Sequence, residues 1–390
     1  MQEKEQEHPF YPDLELPSLK FLLTLKPEIY EEKEKEKTKE KLIEKIENNS
    51  MVPYYLNLCK TFKWNVDEKF VEKMKKSNEE ELKKLENKIQ EAKEQEGEIE
   101  IREACFQKAN FYARIGDKEN ALIAFKEAIE KAVSIPQKME VILTQVRIGF
   151  FFNDRELTER NLEIGRMLLE ECNDWELKNR FKVYEGYYAI IIRNFQKAGE
   201  LLLSSIATFT ATELFDYTKF VYYTVLMNII TLQRVELKKK VIDSPEILSA
   251  IRDVPHLFEL LNSLYNCSYQ EFLTELVEIT YGLKLDRILY VHGPYFCREM
   301  RIIGYSQFLE SYKSVTINSM AESLGLSPQF LDKELSRFIA SGRIPAKIDK
   351  VGGVIETIRP DKRNAGYRNV IKQGDPILNR IQKLSRIFTN

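Results

Sequence analysis

The sequence predicts a mostly α-helical chain: a superhelix of helical repeats, then a winged helix, then a C-terminal helix. Three observations carry this. Small residues recur at related offsets through 105–206. Two short amphipathic helices meet at a glycine turn ahead of an alternating hairpin between 316 and 359. An apolar stripe at helical spacing closes the chain.

Composition permits such a fold. The 390 residues suit two or three domains, and 43% hydrophobic with 11% aromatic residues can fill their cores. The 61 acids nearly cancel the 59 bases, for a net charge of −2, so no bulk pull toward nucleic acid or an anionic membrane is expected. Cys59, Cys105, Cys172, Cys267 and Cys297 stand apart with no CxxC, a poor disulfide or zinc framework that points to a reducing compartment. The opening MQEKEQEHPFYPD lacks an apolar run of signal-peptide length, so secretion is not expected. The most apolar window, 219–232, is too short to span a bilayer and predicts a buried helix.

Residues 1–100 read as a charged N-terminal helical region. Proline-containing segments frame 19-LKFLLTL-25. The run 31-EEKEKEKTKEK-41 mixes signs as a solvated helix or flexible stretch does. Leu82, Leu85, Ile89 and Ala92 step by three, four and three; a seam so short predicts packing against the chain's own next segment.

Residues 101–310 read as helical repeats. In 105-CFQKANFYARIGDKENALIAFKEAI-129, Ala109, Ala121 and Ala128 fall where two helices touch, with Tyr112 and Phe125 wedged between, and Gly116-Asp117 turns the chain. This is tetratricopeptide-like spacing. A second copy places Gly149 where Ala109 stood. A third places Gly186 there and Ala198 in the place of Ala121. The drift marks degenerate repeats, each burying its neighbour's face. Helices are expected to continue to 310.

Residues 311–362 read as the winged helix. Ile317, Met320, Ala321 and Leu324 share one helix face, and Gly325 ends it. Ser327 caps the next helix, Pro328 opens it, and Leu331, Leu335, Phe338 and Ile339 face inward. Then 343-RIPAKID-349 and 354-VIETIR-359 alternate around Gly352-Gly353. The outward face of the second helix carries Gln329, Asp332, Lys333, Ser336, Arg337 and Ala340. Asp332 there would meet phosphate, and 311–360 holds seven bases against five acids. That face suits a protein better than DNA. Candidate contact residues at the wing edge are Arg343, Ile344, Lys347, Ile355 and Thr357.

Residues 363–390 read as a linker and a final helix. Ile377, Ile381, Leu384 and Phe388 form one stripe with Leu378 beside it; Arg380, Lys383 and Arg386 take the other side. Such a stripe must dock, on its own domain or on another chain.

No catalytic, cofactor or metal residues are predicted. His8, His256 and His292 are far apart and form no HxH or HExxH. No GxxxxGK[ST] loop and no GxSxG elbow occurs. Arg298-Glu299 is read as an ordinary surface pair, with a role in shaping an interface as the sharper alternative.

The repeats running into 305-YSQFLESYKSVTINSMAESLGLSPQFLDKELSRFIASGRIPAKIDKVGGVIET-357 resemble a PCI domain, covering about 195–362 as a whole. The PCI family supplies subunits of the proteasome lid, the COP9 signalosome and translation initiation factor three. The segments 51-MVPYYLNLCK-60, 113-ARIGDKENAL-122, 298-REMRI-302 and 373-QGDPILNRIQKLSRI-387 are similar to its proteasome-lid members, and spread over nearly the whole chain. The resemblance implies a non-catalytic scaffold without cofactors, acting in lid assembly and so in ATP-dependent degradation of ubiquitinated proteins. It implies winged helices set side by side and C-terminal helices gathered in one bundle. Its partners would be other lid PCI subunits, with the ATPase ring and deubiquitinase in the same assembly, no nucleic acid and no membrane, in cytoplasm and nucleus. The alternatives are a signalosome-type PCI scaffold, which typically carries longer terminal extensions, or an RNA-binding winged-helix translation-factor subunit.

Overall fold

Apolar residues at helical intervals turn even the charged opening of the chain into helix. The computed structural model describes residues 10–94, 97–252, 254, 256–358 and 362–388. They fall into two compact units, Met1–Tyr265 with Glu275–Cys297, and Asn266–Thr274 with Arg298–Asn390. The first unit opens with α1 (Glu15–Thr24), α2 (Glu32–Asn48), α3 (Val52–Phe62) and α4 (Glu68–Glu94). The mixed-charge run lies in α2, which buries Thr38, Leu42 and Ile46 at steps of four. Leu42 and Ile46 join Leu16, Met51, Leu58 and Met74 in one core. The seam of Leu82, Leu85, Ile89 and Ala92 lies on α4, which packs along the next helix, α5 (Glu98–Ile115).

Helix pairs follow: α5 with α6 (Lys118–Lys131), α7 (Ile135–Phe152) with α8 (Arg155–Glu170), and α9 (Trp175–Ile191) with α10 (Phe195–Ser204). Within each pair the turn uses the same chemistry. A left-handed residue (Gly116, Asn153, Arg193) precedes an Asp or Asn whose side chain accepts from the backbone N–H three residues on. That oxygen satisfies one of the donors a helix N-terminus leaves open. The small residues sit where expected: Ala109, Ala121, Ala128 and Ala198 are buried to within 1% of complete. A methyl group on Gly149 would lie 2.3 Å from Thr158 Oγ1, and one on Gly186 2.8 Å from Leu202 Cδ2. Close approach of paired helices therefore requires glycine at both places.

Next come α11 (Tyr217–Thr231), α12 (Arg234–Leu237), α13 (Pro245–Ile251), α14 (Leu257–Asn266), α15 (Tyr269–Leu285) and α16 (Gly293–Glu310). The apolar window 219–232 is the buried body of α11. No helix among the described residues is long and apolar enough to cross a membrane.

In the second unit, β1 (Ser314–Thr316) leads into α17 (Ile317–Leu324) and α18 (Pro328–Ala340). Strands β2 (Ala346–Asp349) and β3 (Val354–Thr357) form the wing, and α19 (Lys362–Phe388) closes the chain. Thr316 and Ser327 cap the two helices through side-chain oxygens, and Gly325 ends α17 in the left-handed region. The sheet is antiparallel in the order β1-β3-β2, with Ile355 opposite both Val315 and Ile348. Ile355, Leu331, Leu335, Phe338, Met320 and Leu324 fill one core beneath it. The short strand β1 is absent from the sequence reading. The anticipated second wing strand ends at Thr357, and Arg359 lies outside the described residues.

Candidate interaction surface

Burial sorts the candidate wing residues. Ile344 and Ile355 are 2% and 0% exposed and belong to the core, because their side chains face Leu331, Leu335 and Phe338 of α18. They hold the wing from inside and offer nothing to another chain, which corrects the expectation for these two. Thr357, on the middle strand β3, donates its hydroxyl to the Tyr312 carbonyl at 2.8 Å. Lys347 is exposed on β2, an outer strand of the sheet, so the edge suited to pairing lies there.

Arg343 is held by Glu299 through two guanidinium nitrogens, one at 3.1 Å. Glu299 is 4% exposed, and Arg298 approaches it at 3.8 Å. The Arg298-Glu299 pair is thus more than surface decoration, since its carboxylate ties the base of the wing to α16. A second carboxylate does the same for α18. Glu334 accepts the Tyr305 hydroxyl at 2.7 Å and pairs with Arg301 at 3.1 Å. Arg298, Arg301, Glu334 and Arg343 line a recess of about 450 Å³ with Arg337 at its side. Charged hydrogen bonds of this kind fix orientation. Sequence reading missed the Glu334 network because its members are distant along the chain. On α18, Gln329, Lys333, Arg337 and Ala340 are exposed as expected, Asp332 and Ser336 are half-buried, and Lys350 of the wing turn lies 3.9 Å from Asp332.

The C-terminal helix is longer than anticipated. No linker precedes it within the described residues, since helix runs from Lys362 through Pro376. Proline there removes the N–H that would bond the carbonyl of Lys372. Ile377, Leu378, Ile381 and Leu384 are all more than half exposed. So are Tyr367, Val370 and Ile371, which sequence reading did not assign. Tyr367, Val370, Gly374, Ile377, Ile381 and Leu384 alternate steps of three and four, a heptad seam, with Ile371 and Leu378 seven residues apart along its flank. Phe388 continues the step, but its side chain lies outside the described residues. The spacing was visible beforehand; Pro376 obscured its continuity.

No group of three or more His, Cys, Asp or Glu side chains among the described residues could hold a metal ion. His256 pairs with Glu275 and His292 is buried elsewhere in the first unit; His8 lies outside the described residues.

Comparison with known proteins bears on this surface directly. The chain is 48% identical to the 26S proteasome non-ATPase regulatory subunit 6 homolog of Arabidopsis thaliana, over 97% of each chain. The chain belongs to the 26S proteasome RPN7 family. The family named 26S proteasome subunit RPN7 matches residues 67–240, the PCI domain matches 255–358, and the RPN7/PSMD6 C-terminal helix matches 367–388. That last match begins at Tyr367, the first residue of the exposed seam. The Dictyostelium discoideum 26S proteasome non-ATPase regulatory subunit 6 is 46% identical, again over 97% of each chain. The COP9 signalosome complex subunit 1 of Arabidopsis is 30% identical over only 38% of this chain and 34% of that one. The RPN7 reading is therefore favoured over the signalosome alternative.

Proposed function

We propose that the chain is a non-catalytic scaffold of the 26S proteasome regulatory-particle lid, and that α19 delivers it into the assembly. The observation that carries this is the uncovered heptad seam. Burying a leucine or isoleucine side chain contributes about 1.5–3 kcal/mol, so seven exposed apolar residues on one helix represent binding energy that the described chain does not use. A 3.5-residue period fits another helix. PCI-domain relatives in the lid supply the matching helices, and Lys347 with the outer edge of β2 meets a neighbour's sheet. Arg343 and Thr357 set the wing's angle for that contact.

In this reading the ATPase ring and the deubiquitinase belong to the same particle, the chain binds neither nucleic acid nor membrane, and it acts in cytoplasm and nucleus. Asp332 on the outward side of α18, where it would meet phosphate, supports the exclusion of nucleic acid. Gentle purification of the tagged chain from its native cells, followed by mass spectrometry, tests the proposal. Lid subunits and proteasome ATPases should accompany it in near-equal amounts. Signalosome subunits in their place would overturn it.

A further inference from the structure

We propose that the first unit contains a binding site for an organic phosphate, in the cavity walled by α1, the α7–α8 turn and residues 287–292. The cavity holds about 400 Å³ and is lined by Lys20, Arg155 and Arg287 without a single carboxylate. Among the described residues none of these three cations forms an ion pair. Two acids adjoining the cavity wall, Asp154 and Asp286, are engaged by other groups. Asp154 is paired with Lys118 and caps α8; Asp286 accepts the Tyr223 hydroxyl and the backbone N–H groups of Ile288 and Leu289. The recess below the wing differs in having carboxylates within it: Glu334 and Glu299 pair with Arg301 and Arg343, although Arg298 and Arg337 line it too.

Gathering like charges without compensation is unfavourable. Burial, reinforced by Arg287, holds the Lys20 ammonium below its ordinary pKa. Arg287 is fixed in place by donating to the Phe150 carbonyl. His292 cannot relieve the charge. Its Nδ1 accepts from Arg193 Nε at 3.1 Å, so the proton sits on Nε2 and donates to the Ile191 carbonyl at 3.2 Å. The ring is a neutral wall. An incoming anion is the missing counter-charge. Two guanidinium groups and one ammonium complement phosphoryl oxygens. The volume exceeds what one phosphoryl group fills, and Phe21, Phe151, Phe152 and Val291 wall the remainder, so the ligand carries an apolar or aromatic body. No phosphate loop or general base accompanies the site; it binds and does not hydrolyse. This site is independent of the α19 seam and of the scaffold reading.

Thermal unfolding and titration calorimetry of the full-length chain test it, with AMP, ADP, ATP and inorganic pyrophosphate as probes and KCl matched for ionic strength. ADP or ATP should raise Tm by about 2–4 °C at roughly a hundred times Kd, and pyrophosphate should do less. Lys20→Met and Arg155→Gln should each weaken binding at least about tenfold, the cost of one charged hydrogen-bonding partner. Lys20→Met should also leave the empty protein as stable as before or more so, because it removes one of three crowded charges. Four probes that shift Tm no further than KCl overturn the proposal. So does an undiminished shift in the Lys20→Met/Arg155→Gln double variant. Equal shifts from pyrophosphate and ADP overturn the organic body.

Discussion

Helices α11 and α19 are both rich in apolar residues, and the fold treats them oppositely. In α11, Phe220, Val221, Thr224, Leu226, Met227 and Asn228 point in different directions around the axis and all are buried. In α19 the large apolar side chains among the described residues keep to one seam and its flank, and all seven are exposed. A helix apolar all round is made for a core, whereas a strip of 3.5-residue period is made for another helix. Apolar content shows that cover is needed; the period shows what kind. The first unit uses its apolar surface for its own stability, whereas the described apolar side chains of α19 stay uncovered, as the proposed assembly role requires.

Introducing the same charge into each helix breaks or sharpens that contrast most sharply. Leu226→Asp should unfold the first unit, since an unpaired carboxylate in a sealed core costs more than about 4 kcal/mol; circular dichroism and Tm read it. Ile381→Asp with Leu384→Asp should leave Tm within about 1 °C and reduce co-purifying lid subunits at least about tenfold, the loss of more than one buried apolar contact. Normal incorporation of the double variant would sink the bundle assignment for α19.

Glycine positions extend the comparison to close packing. Gly149→Ala should destabilise by about 1–3 kcal/mol through the overlap with Thr158, measured by urea unfolding. Gly374→Ala, with nothing within 4 Å of the added methyl, should be neutral or gain about 0.5–1 kcal/mol of helix stability. Glu299→Gln should cost about 1–2 kcal/mol, below the value for a sealed pair because Arg343 is about half exposed. A Tm unchanged by that variant would mean that the wing's base is held by packing alone.

The smallest effect is electrostatic. Lys118, with the Leu157 N–H, holds the Asp154 carboxyl below the ordinary carboxylate range. A depressed folded-state pKa contributes stability above the unfolded value, near pH 4, which is lost as pH falls through the folded one. Lys118→Ala should therefore flatten the acid limb of stability below pH 4, measured by Tm against pH, and leave the limb above pH 6 unchanged. An unaltered acid limb would mean that Lys118 does not set the carboxyl's affinity for protons.

Much of this was legible in the chain itself, for physical reasons that differ by place. Small residues at helix crossings announce themselves, because an added methyl would overlap Thr158 at Gly149 and Leu202 at Gly186. The winged helix was legible through its caps, Ser327 and Gly325, which are local. Ile344 and Ile355 were misplaced because alternation alone does not say which face of the hairpin the helices cover. Strand order depends on β1, three residues whose pairing partners lie some forty positions away. The Glu299–Arg343 and Glu334–Arg301 ties escaped for the same reason. Residues 363–390 were read as a linker and a helix, but Pro376 sits inside a helix that continues on both sides. In the cavity beside α1, the lack of carboxylates shows only once distant segments are brought together.

The uncovered seam of α19 also bears on how copy number is kept. A chain made in excess of its partners displays a continuous oily ridge, the kind of surface that quality-control machinery and aggregation both act on. In the proposed assembly, incorporation hides the ridge. One helix would then serve as ticket of admission for the assembled subunit and as mark of disposal for the surplus one, with no separate signal.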